Sequence, residues 1–122
     1  MVTYVATLYA KHGSETDVAQ FYQDMEAQLN AAPGFRQRTI LRAKPGTMFA
    51  IVKPMLSEEQ LASNREPPHP EGVHFVMIEE WDSAEDRVKF SRGQDKSRAA
   101  KLYPHLLPQH THEFYEDISP AS

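Results

Sequence analysis

The sequence predicts an α+β fold of the split β-α-β, ferredoxin-like plan. Short β-branched or aromatic runs alternate with stretches whose apolar residues recur at helical spacing, in the order β-α-β, a long linking segment, β-α-β. The first and third strand runs are apolar on both sides, as in a sheet covered on both faces. The chain has 122 residues, 40% of them hydrophobic and 25% charged, which suits one domain over residues 1–122 with a small core.

Each element has its own signal. "VTYVATLYA", Val2–Ala10, reads as the first strand, with Tyr4, Ala6 and Leu8 on one side and Val5 and Tyr9 on the other. Ser14 stands where a helix cap is needed, and Glu15 and Asp17 suit the positive end of that helix. Val18, Phe21, Tyr22, Met25 and Leu29 form one apolar stripe, so a single helix is expected to about Ala32, where "PGF" ends it. "FRQRTILRA" reads as the second strand, with Phe35, Gln37 and Thr39 opposing Arg36, Arg38 and Ile40. In the linking segment, residues 43–72, Thr47–Val52 reads as a short strand between two prolines, and Ser57 heads one or two helical turns. "REPPHPEG" can continue neither a helix nor a central strand.

"VHFVMIEEW", Val73–Trp81, is the third strand, with Phe75 and Met77 opposing Val76 and Ile78. Asp82 or Ser83 caps the next helix, and Asp82 with Glu85 fits a capping box. That helix is expected to break near Gly93, resume, and stop at Pro104. "HTHEFYEDI", residues 110–118, is the last strand, and "SPAS" is a frayed tail. One chain supplies helices for only one sheet face, so the other face is expected to pack on a second copy about a two-fold axis.

Composition removes several function classes. The net charge is −4 and no basic run occurs, so nucleic-acid binding has no electrostatic footprint. The absence of cysteine removes disulfides, thiolate nucleophiles and cysteine–zinc sites. No stretch approaches the roughly 20 apolar residues that span a bilayer, so no membrane partner is expected. The N-terminus lacks the charged region of a signal peptide, which makes a cytoplasmic location the default expectation.

The titratable side chains leave alternatives open. His110 and His112 are two residues apart and point to one side of a strand. They and His74 are of the residue type most often used as a general base, and surface or interface histidines would look the same. A metal would require a third ligand that this spacing does not specify. Tyr4, Tyr9, Tyr22, Tyr103 and Tyr115 could orient a phenolic substrate or finish a core near solvent. Arg36, Arg38 and Arg42 could hold an anionic group or form a salt-bridged strand face. Glu79 and Glu80 point to opposite sides, so at most one faces a pocket, and surface pairing is the simpler reading. Trp81, the only tryptophan, either plugs the core or forms the flat wall of a pocket.

Three segments resemble the antibiotic biosynthesis monooxygenase superfamily of dimeric α+β barrel proteins. They are "EEWDSAED" at residues 79–86, "APGF" at residues 32–35, and "LLPQHTHEFYE" before and along the last strand. The resemblance covers nearly the whole chain outside residues 43–72. It implies a homodimer with a substrate pocket between sheet and helices. It further implies a cofactor-independent monooxygenase acting on a small aromatic or polyketide-like molecule with molecular oxygen. Related members are cyclases or isomerases, and a non-enzymatic small-molecule binding dimer fits the same frame.

On this resemblance Trp81 borders the pocket, and His74, His112 and Tyr9 are the candidates for proton handling. Tyr4, Phe75, Met77, Phe90 and Tyr115 are the candidate substrate contacts, and no metal or organic cofactor is expected. The chain departs from the superfamily's chemical patterns in three ways. Met77 stands where an asparagine often accompanies the tryptophan, the first strand has no asparagine, and no histidine lies between Ser83 and Tyr103. The last departure removes the axial ligand that haem-degrading relatives use.

Overall fold

A computed structural model describes residues 1–121 and contains a four-stranded antiparallel sheet in the order β2-β3-β1-β4. The elements run β1 (Val2–Ala10), α1 (Glu15–Asp24), α2 (Glu26–Ala31), β2 (Phe35–Arg42), α3 (Thr47–Val52), α4 (Glu58–Ser63), β3 (Val73–Trp81), α5 (Ala84–Arg92), α6 (Lys96–Leu102) and β4 (Leu106–Tyr115). This is the ferredoxin-like α+β plan. No helix of the described residues is long and apolar enough to cross a membrane.

Strand alternation decides what each face carries. On β3, Phe75, Met77, Glu79 and Trp81 are all buried, while the residues between them keep partial exposure. They pair across β1 with Leu8, Ala6, Tyr4 and Val2, so these eight residues share the face the helices cover. Two apolar clusters form beneath the helices. Leu8, Ala10, Phe75 and Met77 meet Val18 of α1 and Leu102 of α6. Trp81 meets Leu29 of α2 and Phe90 of α5, with Phe35 edge-on at 5.3 Å between ring centroids. Val5, Tyr9, His74, Val76 and Ile78 occupy the opposite face, which no element of the described residues covers.

The structure corrects several expectations. Thr47–Val52 is the helix α3 and not a strand. The run has no strand to pair with, and the helix satisfies its backbone locally, beginning with Ala50 N–H to Gly46 O at 2.9 Å. The single helix expected to Ala32 is two, broken at Met25, whose N–H turns back to Tyr22 O at 3.2 Å. The same carbonyl accepts from Arg38 Nη2, so a buried guanidinium draws on the helix backbone at the break. Ser14 heads α1 but makes no side-chain cap; its backbone is not extended there, and its hydroxyl lies 3.0 Å from His105 Nδ1 instead.

On β2 the register shifts between Phe35 and Gln37, so Phe35 faces the core with Trp81 while Gln37 faces away and donates to Glu80 at 2.9 Å. β4 begins at Leu106, earlier than expected, because an edge strand tolerates Pro108. It ends at Tyr115, leaving Ile118 86% exposed. In the tail "SPAS", residues 119–121 carry no regular structure, and Ser122 lies outside the described residues.

The capping signals at Ser57 and Ser83 are realised. Ser57 and Gln60 form a full capping box. Ser83, rather than Asp82, caps α5, its Oγ accepting from Asp86 N. Gly34 joins α2 to β2 at φ +84°, its carbonyl accepts from Asp82 N at 2.7 Å, and a Cβ there would run into the Asp86 side chain. Gly34→Ala is expected to cost about 1–3 kcal/mol, measured by urea unfolding against the unmodified chain.

Candidate active site

The helix-covered face does not pack shut along its whole length. A cavity of about 580 Å³ lies between β1 and β4 on one side and α1, α5 and α6 on the other. That is within the roughly 300–1,000 Å³ usual for small-molecule sites. Its wall is mostly apolar, from Ala6, Leu8, Phe21, Met25, Phe90 and Leu102 among others. The polar groups include Tyr4, Tyr22, Tyr103, Arg87, His110 and His112, with Ser91, Gln94, Asp95 and Arg98 contributed by α5, α6 and the turn between them. His110 and His112 pair with Leu8 and Ala6 and therefore face the helices. Their rings stack 6.3 Å apart, and both are exposed along the edge strand, so the cavity opens there.

Of the nine site residues that the resemblance implied, Tyr4, Phe90 and His112 line this cavity, and so do His110, Tyr22 and Tyr103 from the wider set of titratable candidates. Phe75 and Met77 share its sheet face but lie beneath the helices in the core, 2% and 1% exposed. Tyr9 and His74 are on the opposite face, stacked on each other at 4.5 Å with their planes 9° apart. Tyr115 pairs with Thr3, so it too points away from the helices. Period-two alternation makes the separation: within one register, odd positions of β1 and even positions of β3 share the uncovered face. No group of three or more histidine, aspartate or glutamate side chains among the described residues is placed to hold a metal ion.

Trp81 has no exposed surface and does not line the cavity. It sits behind the wall, its indole packed on Phe35 and Phe90. Its Nε1–H donates to Glu79 Oε1 at 2.8 Å, and Arg87 Nε donates to the same oxygen at 2.7 Å. Glu79 is thus a buried, paired carboxylate and not a surface one. Arg87 lines the cavity, with Cζ 4.3 Å from the centroid of the Tyr4 ring and 5.5 Å from that of Phe90. Sequence reading left Arg87 unnoticed. A signal was present: an acidic residue in the inward row of a strand must find a cation, and α5 offers one on the face that also carries Phe90.

Of the three phenols that line the cavity, Tyr4 and Tyr22 are held neutral. Burial raises the Tyr4 hydroxyl above the usual tyrosine value, Arg87 pulling the other way and Glu79 reinforcing it. Burial likewise pushes Tyr22 up to about 12, helped by Tyr4 and Glu79 and opposed by Arg38 and Arg87. Both remain hydrogen-bond donors at neutral pH.

The same shift has a consequence for stability. In the unfolded chain Tyr22 ionises near 10, while in the fold it stays protonated to about 12. Proton release therefore favours unfolding. The contribution is complete below pH 10 and is lost as pH rises through about 12. The urea midpoint is expected to fall over that interval, and to fall less steeply in Tyr22→Phe.

No protein-family model matches the sequence, and no curated protein matches it. Solved structures do match. A candidate antibiotic biosynthesis monooxygenase from Caulobacter crescentus aligns over 97% of this chain and 90% of its own, at 19% identity and a TM-score of 0.65. Another structure described as an antibiotic biosynthesis monooxygenase aligns over 98% of this chain and 100% of its own, at 13% identity and a TM-score of 0.63. SnoaB from Streptomyces nogalater, described as a cofactor-independent oxygenase, aligns over 98% of this chain and 94% of its own, at 16% identity and a TM-score of 0.62. At these identities the likeness establishes the fold: the chain has the fold of the antibiotic biosynthesis monooxygenases.

Proposed function

We propose that the chain is a cofactor-independent monooxygenase that acts, as a homodimer, on a small aromatic or polyketide-like molecule with molecular oxygen as co-substrate. The observation that carries this reading is the cavity: an apolar space of about 580 Å³ with imidazoles at its mouth and neutral phenols in its wall. A flat, largely apolar ring fits such a space, and its few oxygens can meet the polar groups. The likeness to SnoaB adds support.

His112 is the base, because it alone of the three proton-handling candidates lines the cavity. It takes a proton from an activated CH₂ of the substrate. The resulting carbanion reduces oxygen and bonds to it, and the proton on His112 returns to the peroxide. Loss of the second C–H proton then breaks the O–O bond. The balance is CH₂ + O₂ → C=O + H₂O, with all electrons drawn from the substrate. Trp81 bears on this site at one remove, through Glu79 and Arg87.

The same base and pocket would serve a second reading, a cyclase or isomerase that moves protons without oxygen, while the absence of asparagine from the cavity wall among the described residues supports a third, a non-enzymatic binding dimer. Turnover that persists without air separates the second from the first. Binding without any turnover indicates a carrier dimer.

The dimer half of the proposal rests on the uncovered sheet face, where Val5, Tyr9, His74, Val76 and Ile78 are only part-exposed side chains of an apolar row. Val76→Glu with Ile78→Glu is expected to halve the mass measured by light scattering while the helical circular dichroism is retained. A mass equal to one chain before mutation contradicts the dimer.

Oxygen uptake by metal-stripped protein over a panel of anthrones, hydroquinones and naphthols tests the reaction. Uptake above a protein-free blank is expected, reduced roughly 10²–10⁴-fold by His112→Ala. No uptake from any compound by folded dimer counts against the oxygenase reading.

A further inference from the structure

Arg87 is held at three points. Its Nε donates to Glu79, its Nη1 to Ser91 Oγ, and its guanidinium lies against the Tyr4 ring. Nη2 has no protein partner among the described residues, and it is not sealed from solvent, although the side chain is only 14% exposed. The fixed fork therefore presents one unused donor group on a residue of the cavity wall.

The charge around it is not balanced locally. Arg38 stands opposite Glu79 in the β2–β3 register with its side chain 1% exposed. Its own carboxylate partner, Glu26, is 59% exposed, where water screens it. Beneath the helices there are thus two guanidiniums to one buried carboxylate. The one carboxylate among the lining residues, Asp95, is engaged as the N-cap of α6. Tyr4 and Tyr22 add neutral O–H donors nearby.

We infer that Arg87 is a specificity-determining residue that binds an anionic oxygen, a carboxylate or an ionised enol or phenol, carried on the flat ring of the substrate. Glu79 and Trp81 are positioning residues, because Glu79 fixes the direction of the Arg87 fork and Trp81 fixes Glu79. This inference rests on the cavity being the substrate site, and it names what the substrate must carry. The Glu79–Arg87 pair neutralises itself, so the specificity comes from a rigid donor and from the excess charge of Arg38, not from Arg87 as a free cation.

Binding of matched naphthalene probes, measured in the absence of oxygen, tests it. Naphthalene-2-carboxylate is expected to bind at least about tenfold more tightly than naphthalene-2-carboxamide at pH 7, with 2-naphthol gaining as pH rises towards its ionisation. Arg87→Met with Glu79→Gln removes both buried charges together and so avoids leaving either unpaired. This pair is expected to lose the preference for the carboxylate, so that the two probes bind alike whatever their common affinity. Trp81→Phe keeps the packing ring but removes the Nε1–H, and is expected to reduce the preference without abolishing it; a merely structural role would weaken both probes alike. Equal affinity for carboxylate and amide in the unmodified protein overturns the inference. So does a preference that survives in the double variant. Because no oxygen is consumed, a preference found in a protein that takes up none leaves Arg87 in place and removes the oxygenase reading. Uptake without the preference does the reverse.

Discussion

The arrangement of this fold depends on one carboxylate in the wrong place. Glu79 sits in the inward row of β3, between the apolar Met77 and Trp81 along the strand and between Tyr4 and Arg38 across the sheet. An ionised carboxyl group there costs several kcal/mol unless it is paired. The pairing is made by Arg87 from α5 and by the indole N–H two residues along the strand. This fixes the rotation of α5 about its axis: with Arg87 turned to the sheet, Phe90 and Ser91 follow on the same side, one turn later. Phe90 then closes on Trp81 while still reaching the cavity. The wall of the cavity and the plug of the core are set by the same ion pair.

The second constraint is the pleat of the sheet. Tyr4 and His112 face the helices, while Tyr9 and His74 stack on the other side. No change of side-chain rotamer brings the two sets together, since a strand must slip by one residue to exchange its faces. The proposed chemistry of the helix side and the proposed association of the open side therefore rest on separate sets of residues. Mutations on one are free to leave the other intact.

Much of the fold was legible because its signals are local and repeated. β1 and β3 begin and end where their alternation does, and the caps at Ser57 and Ser83 stand where the residue types place them. The failures have a common cause. Arg38 breaks the first helix through a contact with the Tyr22 carbonyl, sixteen residues earlier in the chain, and α3 is helical for want of a strand to pair with. Neither fact is contained in the local residues. The candidate site was less legible than the fold. A histidine stands out as a possible base by its type alone, so His112 is a candidate before its place in the cavity wall is known. Arg87 looks like any helix-surface cation until Glu79 is known to be buried, and Glu79 beside Glu80 looks like half of an acidic surface.

The tryptophan segment illustrates why a fold signature and a chemical signature need not coincide. In "EEWDSAED" each inward or capping position has a structural task. Glu79 pairs with Arg87, and Trp81 fills the space between Leu29, Phe35 and Phe90. Asp82 holds the Gly34 carbonyl through its N–H and Arg36 through its carboxylate. Ser83 caps α5, and Asp86 both receives that cap and packs against Gly34. The segment thus welds the end of β3 to the start of α5 and to the turn between α2 and β2. None of its side chains lines the cavity, whereas Arg87, the next residue, does. A sequence can keep such a weld while exchanging every group that meets the substrate, because the two are constrained by different neighbours. The segment therefore carries information about architecture, and the chemistry must be read from the wall one residue beyond it.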